Sequence, residues 1–155
     1  MRENTICSFF GHSDIDITDE LYSATLNTIE NIIKEGCRTF YFGGFGDFDE
    51  LCYKIVSQIK EENEPSIKRI YCVLQERELR KLPRGISYGD YDEIIYLVPQ
   101  FEGWYKRIYF RNCEIINRSD YVVFYAENRE NSGAYKVYTY AKKKKDKTII
   151  NLYGK

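Results

Sequence analysis

The chain has 155 residues, 43% hydrophobic and 30% charged, with 23 Lys and Arg against 24 Asp and Glu, a net charge of -1. That length sits near the mode for one domain, and the composition excludes disordered and fibrous classes. The balanced charge argues against a protein that coats nucleic acid or a membrane by bulk electrostatics.

Aromatic residues are plentiful, with 15 Tyr and 9 Phe against one Trp. The N-terminus lacks the apolar stretch of a signal peptide, and no apolar run approaches the ~20 residues of a membrane-spanning helix. The five cysteines, Cys7, Cys37, Cys52, Cys72 and Cys113, have no CxxC spacing, and His12 is the only histidine. Reduced, buried thiols in a cytoplasmic protein follow, with no metal site and no cofactor expected.

Strand and helix patterns alternate. Thr5 to Phe10 (TICSFF) is a short apolar run closed by Gly11, as in a strand buried on both faces. Thr18 is a helix N-cap, followed by Asp19 and Glu20 in the first turn, where the helix dipole favours negative charge. Leu21, Tyr22, Leu26, Ile29, Ile32 and Ile33 fall on one side, and Gly36 is the stop. Arg38 to Phe42 is the second strand. After Gly43-Gly44-Phe45-Gly46, the residues Phe48, Leu51, Cys52, Ile55, Val56 and Ile59 trace an amphipathic helix.

Lys68 to Leu74 is a third strand. The charged stretch from Gln75 to Asp92, with Pro83, Gly85 and Gly89, is an irregular excursion with one helical turn. Glu93 to Val98 is a fourth strand and Trp104 to Asn117 a helix with Trp104, Ile108, Ile115 and Ile116 on one face. Tyr121 to Ala126 is a strand, Gly133 to Lys145 a helix, and Thr148 to Leu152 the last strand. Such alternation means βαβ units, hence an α/β fold with a mainly parallel sheet of about six strands and helices on both faces.

In open parallel sheets, ligands bind outside the carboxyl ends of the strands, where strand order reverses. Three strand ends are unusual: Gly11-His12-Ser13-Asp14, Gly43-Gly44-Phe45-Gly46-Asp47-Phe48-Asp49, and Tyr125-Ala126-Glu127-Asn128 followed by Asn131-Ser132-Gly133-Ala134. Glycines between a strand and a helix either make tight turns or let backbone N–H groups approach a phosphate or ribose. Asp47 and Asp49 would repel phosphate; one is read as a helix cap and the other as an acceptor for a ribose hydroxyl.

Arg107 and Arg111, at i and i+4, share one helix flank beside the apolar stripe. They either recognise a phosphate or carboxylate, or lie on a solvated face with Glu114 as ion-pair partner. Lys142 to Lys145 is read as a cationic last helical turn complementing the dipole. His12 serves either a ligand contact or a structural hydrogen bond. The candidate nucleotide-binding residues are thus Gly11, His12, Ser13, Gly43, Gly44, Gly46, Asp47, Phe48, Asp49, Arg107, Arg111, Asn112, Glu127, Asn131, Ser132 and Gly133. No catalytic residue is assigned.

These segments resemble the SLOG superfamily, the Rossmann-like group joining DNA-processing proteins to the Lonely Guy cytokinin-activating enzymes. CSFFGHSD resembles the first-strand loop of its short bacterial and phage members, and FYFGGFGDFDEL resembles the first glycine motif. RNCEIINRSDYVVFYAENRENSGAYK resembles the Arg and Ser-Asp strand followed by the second glycine motif. The resemblance covers nearly all of residues 1–155 as one domain. It implies a three-layer Rossmann-like fold with strand order near 4-3-2-1-5-6 and a nucleotide-derived ligand, ADP-ribose-like or cyclic nucleotide among them. It also implies backbone approach at Gly11, Gly43, Gly44 and Gly46, a phosphate-directed Arg111, and a homo-oligomer. A sensing or sequestering role, in bacterial or phage defence signalling, follows from the same resemblance; nucleic acid is not expected as partner.

One departure separates the chain from Lonely Guy hydrolases. Their PGGxGTxxE stands against AENRENSGAYKV, so Lys136 or Val137 occupies the place of the catalytic Glu. Glu50 mimics the spacing but follows a different strand. The alternative reading, cleavage or transfer at a nucleotide N-glycosidic bond, would need Glu127 or Asp49 as substitute.

Overall fold

The computed structural model describes residues 4–44, 46–73, 88–97 and 103–154, with the backbone alone at 88, 104 and 105. The strands are β1 (Ile6–Gly11), β2 (Thr39–Phe42), β3 (Lys68–Val73), β4 (Glu93–Tyr96), β5 (Tyr121–Tyr125) and β6 (Thr148–Asn151). The helices are α1 (Asp19–Lys34), α2 (Asp47–Glu62), α3 (Trp104–Arg118) and α4 (Gly133–Ala141). All strand pairs are parallel, in the order β4-β3-β2-β1-β5-β6. This is the expected Rossmann-like α/β arrangement. Among the described residues no helix is long and apolar enough to cross a membrane.

Strand side chains alternate between two cores, as the two-residue period of a strand requires. Cys7, Phe9, Phe40, Phe42, Tyr71, Val73 and Val123 pack with residues of α1 and α2. Phe10, Tyr41, Ile70, Cys72, Val122 and Phe124 pack on the other face with Ile115 and Ile116 of α3 and Val137 and Ala141 of α4. Both faces are covered, which is why the strands read as almost continuous apolar runs. All five cysteines are buried free thiols.

Local signals act where the sequence places them. The Thr18 side chain accepts the Leu21 N–H, and Gly36 takes φ of +107° after α1. Within the irregular stretch, residues 75–87 lie outside the described residues; its described end carries a 3₁₀ turn, Tyr88–Asp90. Leu74, Val98 and the Trp104 side chain, expected in β3, β4 and the apolar face of α3, also lie outside them.

One helix ends early. α4 stops at Ala141, with Lys142 as C-cap, so Lys142 to Lys145 is not its last turn. The chain must return to start β6 at Thr148 beside Tyr121, and nine residues, ~14 Å of helix, suffice to span the five-residue β5. Lys142 Nζ lies 5.3 Å from the Tyr138 ring centroid, and Lys144 Nζ lies 4.7 Å from that of Tyr140. Both ammonium groups thus lie over aromatic faces.

Candidate functional site

Strand order reverses at β1, which is flanked by β2 on one side and β5 on the other. A cleft of about 1130 Å³ opens beside the carboxyl end of β1, between the β5–α4 connection and α3. Of the sequence candidates, Gly11, His12, Ser13, Gly43, Asp49, Arg111, Asn112, Asn131, Ser132 and Gly133 line it. Gly44, Gly46, Asp47, Phe48, Arg107 and Glu127 do not.

The first glycine loop is closed by the protein itself. Gly43 and Gly44 donate their backbone N–H groups to Asp49 Oδ1 and Oδ2, each at 3.1 Å. A carboxylate from the first turn of α2 thus fills the place where a ligand anion would meet this loop. The Asp47 carboxylate accepts the Ile15 N–H at 3.1 Å, and the Asp47 N–H donates to the Ser13 carbonyl at 2.9 Å. Both acidic residues therefore organise backbone.

The glycines answer to internal packing in the same way. Gly44 has φ of +74°, and a Cβ there would fall 2.3 Å from Tyr71 Cε1. Gly46 has φ of +99°, and its Cβ would fall 2.9 Å from Ser13 Cα. At Gly11 a Cβ would lie 2.5 Å from Cβ of Phe48, a fully buried ring. At these three positions the groups that come close to the backbone are this chain's own.

Asp49 is 6% exposed. Burial raises its pKa to about 7, against the opposing pull of the Gly43 and Gly44 N–H groups and the Arg111 charge. Arg111 is itself 7% exposed, so it belongs to the buried face of α3 and not to a solvated flank. Its Nε and Nη2 donate to Asn112 Oδ1 at 3.2 and 3.0 Å, and Nη1 reaches the Cys72 carbonyl at 3.4 Å. Glu114 pairs instead with Arg118, at 3.0 Å. Arg107 is half-buried outside the cleft; besides Arg111, α3 presents Lys106, one residue before Arg107, to the wall.

The second helix mouth is open. Ser132 caps α4 by accepting the Tyr135 N–H at 3.0 Å, and Asn131 before it has φ of +59°. The N–H groups of Gly133 and Ala134 make no hydrogen bond among the described residues. A Cβ at Gly133 would meet nothing within 4 Å. The two glycine motifs therefore differ: the first is sealed by Asp49, the second faces the cleft.

His12 ties the two halves together. It is buried, accepts the Glu127 N–H at 2.8 Å through Nε2, and has Nδ1 3.3 Å from Ser132 Oγ. The structural role is realised. The Glu127 carboxylate receives Arg129 Nε at 3.2 Å.

Sequence reasoning missed several lining residues. Lys106, Arg129 and Lys136 join Arg111 as four cations against the carboxylates of Asp14, Asp49 and Glu130. Phe10, Ile108, Tyr109 and Phe110 give the cleft an apolar wall. Tyr109 and Phe110 meet edge to face at 5.3 Å. Their position after an arginine-bearing helix turn was the available signal, since α3 is the helix that faces β1 across the cleft. The sequence matches no protein-family model and no curated protein.

Proposed function

We propose that this chain is a SLOG-type module that binds a nucleotide or nucleotide-derived small molecule in the cleft beside β1 and α4, as a sensor or sequestering protein. One observation carries the reading: an unsealed helix N-terminus, with donor-only groups at Gly133 and Ala134, opens into a cleft with an aromatic wall and four cationic side chains. Helix N-termini favour anions through their unsatisfied N–H groups and dipole. Flat aromatic side chains suit a base, and the cations suit its phosphate. The sealed loop at Gly43 and Gly44 leaves the phosphate to the α4 side. A role in bacterial or phage defence signalling belongs to the same proposal through the family resemblance.

The test is a thermal-shift screen with AMP, cyclic AMP, ADP-ribose and adenosine, followed by calorimetry. A ligand at 100 times its dissociation constant adds ~2.7 kcal/mol, which raises the midpoint by roughly 5–10 °C for a domain of this size. A shift with a phosphorylated ligand and none with adenosine is the expected result. No shift across the panel at millimolar concentration counts against the reading.

A further inference from the structure

The hydrogen bonds around His12 fix more than the fold. Nε2 receives the Glu127 backbone N–H at 2.8 Å. A backbone N–H only donates, so Nε2 carries a lone pair. Burial, with the Arg129 charge second, lowers the imidazole pKa from its ordinary 6.5, so the ring is neutral at neutral pH. The single ring proton then sits on Nδ1, 3.3 Å from Ser132 Oγ, and Nδ1 is the donor of that bond.

Ser132 Oγ also accepts the Tyr135 N–H at 3.0 Å. A hydroxyl offers two lone pairs and one proton. Both lone pairs are taken, so the proton is all that Ser132 has left for the cleft it lines. Asn112 is polarised in the same sense: its Oδ1 takes both Arg111 bonds, which leaves its NH₂ group as donor.

We infer that His12 is a positioning residue that holds Ser132 as an obligate hydrogen-bond donor, so that the cleft selects a ligand group made only of acceptors, a fully ionised phosphoryl group. This rests on reading the cleft as a nucleotide site. A ligand hydroxyl or protonated phosphate can accept the Ser132 proton, but its own proton finds no acceptor on Ser132, whereas a fully ionised phosphoryl group brings no second donor.

Two measurements test it. Because His12 is the only histidine, nitrogen NMR of the imidazole reads its tautomer without ambiguity. The expected spectrum has a protonated Nδ1 and a bare Nε2; the reverse overturns the inference with no ligand involved.

The second is calorimetry of AMP, cyclic AMP, ADP-ribose and adenosine with wild type, Ser132→Asn, Ser132→Asp and His12→Phe. Asp caps a helix as well as Ser and accepts the same two bonds, but has no proton to give. Ser132→Asp should melt like wild type and bind the phosphorylated ligand roughly tenfold to a hundredfold more weakly, whereas Ser132→Asn, which keeps a donor, should retain binding. His12→Phe adds no charge and should weaken the phosphorylated ligand. Wild-type affinity for the phosphorylated ligand in Ser132→Asp or in His12→Phe overturns the role of Ser132 and His12 alone. Failure of wild type to bind any of the four overturns the nucleotide reading, and the role with it.

Discussion

Gly44 donates its backbone N–H to Asp49 Oδ2 at 3.1 Å, across five residues of chain that include the start of α2. With the matching bond from Gly43, one side chain completes a loop whose glycines look, in sequence, like an invitation to an external anion. The carboxylate is the intramolecular counterpart of that anion. Its burial makes it sensitive to pH.

Asp49 titrates at about 7 in the folded chain, against an ordinary value of 3.8, because burial disfavours its charged form. The folded state therefore binds this proton more tightly than the unfolded state. The contribution of Asp49 to stability is fully present below about pH 4 and is lost as pH rises through about 7. Urea unfolding from pH 4 to pH 8 should show a decline in wild type that is flatter in Asp49→Asn. Parallel profiles for the two proteins would mean that Asp49 ionises normally.

Gly44→Ala should cost roughly 2–4 kcal/mol, from a left-handed backbone held by a non-glycine residue and a clash with the Tyr71 ring. Gly133→Ala meets open space in the first turn of a helix and should leave stability within about 1 kcal/mol of wild type, on the favourable side. Denaturant midpoints of the two variants check the contrast between a sealed and an open helix mouth. Equal losses would remove it.

The sheet was legible because its causes are local and periodic. The apolar runs at Cys7 to Phe10 and Val122 to Phe124, the Thr18 cap and the Gly36 stop each act within a few residues. Strand order is not a local property and came from the family resemblance. The site was legible in outline only. GGxG reports that something approaches the backbone, but a helix carboxylate, a tyrosine ring or a ligand leaves the same glycines behind. The identity of the approaching group depends on Asp49 and Tyr71, brought in by tertiary packing. For the same reason Arg111 reads as a flank residue by helical spacing, yet α3 is rotated so that its guanidinium points to Cys72 and Gly43. The end of α4 was misplaced because Lys142 to Lys145 carries no breaker; the return to β6 ends the helix.

Arg111 supports the fold as well as the cleft. Its charge opposes the rise in the Asp49 pKa, and it is buried with that carboxylate. Arg111→Met should therefore lower stability by about 2–4 kcal/mol at pH 8, and by less at pH 4, where Asp49 carries its proton. The double variant with Asp49→Asn should lose less than the sum of the two single losses, since the groups interact directly. Additive losses at pH 8 would show that Arg111 and Asp49 act independently.

Cleavage of an N-glycosidic bond develops positive charge on the ribose, which a nearby carboxylate stabilises and a nearby cation opposes. Lys136 and Val137, which the family resemblance sets against the Lonely Guy glutamate, both line the cleft, and one of them is cationic. Asp49 has each oxygen committed to a glycine N–H, and Glu127 lies outside the lining, paired with Arg129 at 3.2 Å. Asp14 and Glu130 complete the carboxylates of the wall. The expected outcome is therefore no release of adenine from AMP on long incubation, under conditions where calorimetry detects nucleotide binding. Chromatography of AMP and ADP-ribose reactions, with Asp49→Asn and Glu130→Gln beside wild type, decides it. Free adenine formed by wild type and lost in either variant would identify that carboxylate as a substitute for the glutamate and make the cleft a catalytic one.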